Sequence, residues 1–157
     1  LGNGNSERVG KFYWEQIEQI RSLLARYVKE ADSKFDYDKY LLVCEQLGEE
    51  PDPAKMPLEP SSFPEEVQVA FFMFSLLTDR WDGMSGSYLG KSWEGVEYFF
   101  KTYDIQDPGT VIYIMKLYEG IIVSHKAEKA EQERKAEERR RKSASGGGKT
   151  YTHNVRG

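Results

Sequence analysis

At 157 residues, 39% hydrophobic and 31% charged, the chain has apolar material for one ordinary core with a heavily solvated remainder. Its net charge of −4 divides unevenly, with ten Lys/Arg against five Asp/Glu in residues 126–157 and twelve against twenty-one in residues 1–125. An acidic body with a basic appendage argues against broad nucleic-acid binding and leaves only a weak electrostatic contact through the tail.

The first predicted helix runs from about Ser6 to Glu30. Tyr13, Ile17, Ile20, Leu24 and Tyr27 recur there at steps of four and three, and Val9, Phe12, Leu23 and Val28 widen the stripe. Such a seam serves either the chain's own core or a helix–helix interface. Asp36 is a candidate cap for a short helix carrying Tyr37, Tyr40, Leu41, Cys44 and Leu47, stopped by Gly48. Four of the six prolines follow between Pro51 and Pro60, which predicts an extended, polyproline-like crossing.

Ser62-Phe-Pro-Glu65 reads as a capping box. The run Val67–Leu77 behind it is apolar nearly all round, as expected of a central helix buried on most sides. It is also the longest mostly apolar stretch and is far too short to span a bilayer. Asp79–Ser92 is expected to be a structured loop. Ser92 would cap a helix through Trp93, Val96, Phe99, Phe100 and Tyr103, and Asp107-Pro108 would open a long one through Val111, Ile114, Met115, Tyr118, Ile121 and Ile122. Lys126–Lys142 has thirteen charged residues among seventeen, which suits a solvated helical extension. The glycines after Ser143 end it as a hinge.

These elements give an all-α fold. A compact domain of about five helices spans residues 6–125, a charged helical extension residues 126–142, and a flexible Gly-rich hinge with a terminal peptide residues 143–157.

Catalytic patterns are incomplete. Gly86–Ser92 has three residues between its glycines where a phosphate loop needs four, and no strand is expected before it. Gly148-Lys-Thr lacks the first glycine of that motif, and Gly83-Met-Ser-Gly-Ser misses the nucleophile elbow. His125, His153 and the single Cys44 lie far apart in sequence, so neither a metal site nor a rigid dyad is expected. No cofactor is implied and no enzyme is expected. The lone cysteine suits a reducing compartment, and the missing initiator methionine suits a processed or truncated chain.

Two segments remain as candidate partner contacts. In Trp81–Trp93 the glycines allow positive φ, Trp81, Tyr88 and Trp93 can anchor the loop, and Met84 and Tyr88 can be presented to a partner. In the terminal peptide, Tyr151, His153 and Val155 fall on one side at a spacing of two, the pattern of a strand that docks on another protein's sheet edge. A plain solvated connector and a plain disordered terminus are the competing readings.

A helix followed by Trp-x-Gly, Gly-x-x-x-Gly and then an aromatic near the next helix resembles the core of phage tail assembly chaperones. The residues that carry the resemblance are Phe71, Leu77, Trp81, Gly83, Gly86, Gly90, Trp93 and Val96, within residues 65–105. Lys91-Ser92 departs from that family's hydrophobic-acidic pair, and the long first helix and Pro-rich crossing lie outside its pattern. The resemblance implies a non-enzymatic helical protein in the host cytoplasm that keeps the tape-measure protein soluble, with a longer form made by frameshifting near the end of the short one. The alternatives are a virion component such as a neck or baseplate adaptor, and a factor that binds RNA polymerase. Self-association is compatible with all three.

Overall fold

The computed structural model describes residues 3–146, with side chains from residue 15 onward. The fold is mainly helical. Helix α1 spans Asn3–Ala31, α2 Tyr37–Leu47, α3 Glu65–Ser75, α4 Val96–Thr102 and α5 Pro108–Ser145. Two short 3-10 turns, Pro53–Lys55 and Pro60–Ser62, lie between α2 and α3.

Several ends follow local chemistry. Asp36 accepts from Lys39 N at 3.0 Å and starts α2, and Gly48 at φ 66° stops it with two backbone bonds to Cys44 and Glu45. Asp107 accepts from Thr110 N at 3.3 Å, with Pro108 in the first turn of α5. The capping box does not form. Ser62 is consumed by the second 3-10 turn, so Pro64 becomes the N-cap and its carbonyl accepts from Val67 and Gln68.

The core is where α1, α3 and α5 meet. Leu24 of α1, Val67, Ala70, Met73 and Phe74 of α3, and Val111, Ile114 and Met115 of α5 are buried, joined by Phe63, Leu77 and Phe100. Ile17 and Val28 are also buried, so the C-terminal part of the α1 stripe packs within the chain. The side chains of Val9, Phe12 and Tyr13 lie outside those described. An aromatic layer closes one flank: Phe71 lies 5.0–5.2 Å from the rings of Tyr27, Phe63 and Tyr118. Burial there pushes the Tyr118 phenol up to about 12. The central helix is less enclosed than its composition predicts. Phe72 remains 46% exposed and stacks edge-on with Tyr103, the C-cap of α4.

The Pro-rich crossing contains the two 3-10 turns rather than one extended run, and it is strapped to α1 by a side-chain pair. Arg26 Nη2 donates to the carbonyls of Ala54 (3.1 Å) and Met56 (2.9 Å), and Glu30 accepts from Leu58 N at 2.9 Å. Arg26 and Glu30 bond each other at 2.6 Å. Prolines cannot donate, so the free carbonyls and the remaining N–H find partners on the neighbouring helix instead.

Residues 79–91 correct the expected loop. They form an antiparallel hairpin of β1 (Asp79–Trp81) and β2 (Tyr88–Lys91), with a register shift between Arg80 and Trp81. Helix α4 also starts later than predicted. Ser92 is not its cap, because its N–H closes the hairpin on Thr78 O at 2.8 Å, and the helix begins after Gly95 at φ 75°. Helix α5 runs on without a break into its charged part, which is exposed from Lys126 onward. His125 and Lys129 tie the junction to Asp32, just past α1, at 2.8 and 3.4 Å. The His125 bond first, then Lys129, holds the Asp32 carboxyl below its ordinary range.

Candidate protein-contact site at the hairpin

The hairpin rests on α5 through one carboxylate. Glu119 Oε2 accepts from Lys91 N at 2.8 Å and from Trp93 Nε1 at 2.9 Å, while Lys116 reaches its other oxygen at 3.3 Å. Burial pushes the Glu119 carboxyl up, but these donors and the Lys116 charge outweigh it, and the net direction is down. Gly90 permits this approach. Its φ is +94°, and a Cβ there would lie 2.9 Å from the Glu119 carboxyl.

A second set of contacts ties the strands together. Lys91 Nζ binds Asp79 at 2.9 Å and the Leu77 carbonyl at 3.1 Å, and it lies 4.9 Å from the centre of the Phe74 ring. Tyr88 donates its hydroxyl to Asp79 at 2.8 Å. Burial raises the Asp79 carboxyl, yet the bonds from Lys91 and Tyr88 bring the net direction down. Burial first, and then the Asp79 carboxylate, pushes the Tyr88 phenol well above its ordinary value.

The turn is held just as firmly. Asp82 N donates to Ser87 O and Gly86 N to Asp82 O, both at 2.8 Å, with Gly86 at φ 69°. The Asp82 carboxylate accepts from the Ser85 hydroxyl and from the backbone N–H groups of Ser85 and Met84. The Ser85 hydroxyl and these amides hold it below the usual carboxylate range.

This scaffold separates the expected contact residues. Met84 is 99% exposed at the tip and Trp81 is 56% exposed. Tyr88, expected to face a partner, is instead 9% exposed, packed 4.9 Å from the Trp81 ring, with Lys126 Nζ 5.4 Å from its centre. Period-two alternation sends its neighbour Leu89 outward in its place, a contact candidate the sequence reading missed. Trp93 is an anchor, held by Glu119 and covered by Lys116 at 3.9 Å. Tyr151, His153 and Val155 lie outside the described residues.

A strand does stand at Gly90-Lys91, contrary to expectation. Those residues are inside it rather than in a loop ahead of a helix, and Lys91 is committed to Asp79 and Leu77 O. Among the described residues no three His, Cys, Asp or Glu side chains converge as a metal site, and no helix is long and apolar enough to cross a membrane. No protein-family model matches the chain, nor does any curated protein or any solved structure.

Proposed function

We propose that the chain is a non-enzymatic protein-binding factor whose hairpin is a contact arm, and that its role is that of a phage tail assembly chaperone acting on the tape-measure protein. The observation that carries the contact arm is a fully exposed methionine on a rigid turn. A bare apolar side chain is ordinarily at the end of a loose loop. Here the turn is fixed by Asp82, and its strands are fixed by Glu119 and Lys91. Little backbone entropy is lost when such an arm binds. Methionine suits the contact because its unbranched thioether adapts to irregular apolar surfaces, and Trp81 and Leu89 enlarge the patch. The resemblance over residues 65–105 supplies the more specific role, since its glycines and tryptophans are those that build this hairpin.

The test is co-expression of the chain with a phage tape-measure protein. Met84→Asp alters a fully exposed position and should leave the melting temperature unchanged, whereas Trp81→Ser also gives up the Tyr88 and Lys126 contacts and should lower it slightly. Each is expected to reduce recovery of the soluble complex about tenfold or more, the equivalent of losing one well-buried apolar contact. Undiminished recovery with both changes combined would refute the contact arm. Failure of the native chain to hold the tape-measure protein in solution would refute the chaperone role.

A further inference from the structure

We propose that the chain associates with copies of itself head to tail, with α2 of one copy seated in the groove between α1 and α5 of the next. The groove, about 550 Å³, is an open trough away from the hairpin tip. Its lining includes Ala25, Gly120 and Ile121 with the cations Arg21, Lys29 and Lys116, the last of them already bonded to Glu119. These cations stand out on a body whose first 125 residues are strongly acidic. Glu128 closes one end. Lys29 has no ion pair among the described residues, and Arg21 has only an exposed one at 3.6 Å to Glu18.

Gly120 is the informative residue. A glycine inside a helix costs stability relative to alanine, so its presence calls for a steric reason. Among the described residues no such reason is found, because a Cβ built at Gly120 meets nothing within 4 Å beyond its own stretch of helix. A second backbone passing close over α5 provides the missing reason.

Helix α2 has the complementary character. Only Cys44 is buried on it, while Leu42, Val43 and Leu47 are exposed, Leu47 by 66%. Asp36, Asp38, Glu45, Glu49 and Glu50 against the single Lys39 make its segment acidic. Eleven residues span about 16 Å at 1.5 Å each, close to the roughly 18 Å from Lys116 to Glu128 along α5. The charged part of α5, residues 126–145, carries eight basic and five acidic side chains and would be repelled by the groove. Because helix and groove are different patches, the contact is heterologous and propagates into a ring or a filament.

Sedimentation of the full chain over a concentration series tests this. The native chain is expected to grow beyond a dimer with concentration. Arg21→Glu with Lys29→Glu spoils the groove, and Glu45→Lys with Glu49→Lys spoils the helix, so each double variant alone should be monomeric. An equimolar mixture of the two keeps one intact helix and one intact groove and should stop at a one-to-one dimer. Gly120→Leu puts a side chain into the trough from a position whose Cβ meets no described neighbour within 4 Å. It should fold with an unchanged or raised melting temperature and associate at least about tenfold more weakly. A native chain that stays monomeric at its highest soluble concentration overturns the proposal, and so does a helix partner that turns out to be another protein only. A mixture that remains monomeric, or that grows like the native chain, overturns the head-to-tail geometry. These readouts need no tape-measure protein, so they stand or fall apart from the chaperone reading.

Discussion

Replacing Gly90 with alanine tests the joint between hairpin and helix. At φ +94° an L side chain is strained, at a cost of about 1–3 kcal/mol. The new methyl would also lie 2.9 Å from the Glu119 carboxyl. That carboxyl ends a flexible side chain and can swing aside, so the overlap itself is cheap. Swinging aside breaks the bonds to Lys91 N and Trp93 Nε1, worth about 2 kcal/mol together once Glu119's partial exposure is allowed for. The expected total is about 3–5 kcal/mol, read by urea denaturation followed through tryptophan fluorescence. In a Glu119→Ala background only the backbone strain should remain, so Gly90→Ala should then cost about 1–3 kcal/mol. Equal costs in the two backgrounds would show that the carboxylate is not what Gly90 accommodates. A cost below about 0.5 kcal/mol in the native background would refute the close approach altogether.

Phe74→Ala should destabilise the chain by about 3–5 kcal/mol, because its ring is buried in the α3–α5 core, whereas Phe72→Ala, half-exposed, should cost about 1 kcal/mol or less in the same denaturation assay. The Glu119, Asp79 and Asp32 carboxyls all titrate below their ordinary range when folded. The stability they contribute is therefore present above the unfolded carboxylate range and lost as pH falls through their folded values. Melting curves from neutral to acid pH should show this loss, and Glu119→Gln should make the acid limb shallower. Removing residues 134–157 should leave the melting transition unchanged, since every described residue from Arg134 to Gly146 is exposed. Removing residues 126–157 also deletes Lys126 from over Trp81 and Tyr88 and Lys129 from Asp32, and should cost about 1 kcal/mol. A several-fold larger loss would show the extension to be part of the core.

Much of the helical framework was legible because helix ends are local chemistry. Asp36, Gly48, Asp107 and Pro108 mark boundaries that depend on residues within four positions, and the spacing of Ile17, Leu24 and Val28 is a property of one helix. The hairpin was not legible. Its strands have three and four residues, too short for alternation to stand out, and the bond that seats them comes from Glu119, 28 residues beyond Lys91. The same long reach explains the misplaced caps. Ser92 and Ser62 have the right chemistry for an N-cap, but a contact to Thr78 claims one and a 3-10 turn the other.

The contact residues show a sharper limit. Trp81 and Tyr88 are both large aromatics flanked by glycine-rich sequence, and nothing local says which one faces outward. The Asp79 carboxylate decides it by taking the Tyr88 hydroxyl, and the register shift after Arg80 places Trp81 across from Tyr88 at the solvent edge. Leu89 is then exposed by alternation alone. Leu42, Val43 and Leu47 are ordinary inner-face residues in composition, and they form a surface because no element among the described residues packs against them. Gly120 joins the two levels. That a glycine weakens α5 can be read from the sequence. That no described residue beyond its own stretch of helix comes near its missing Cβ needs the fold. Only the two facts together make the groove, rather than the helix, the explanation for the residue.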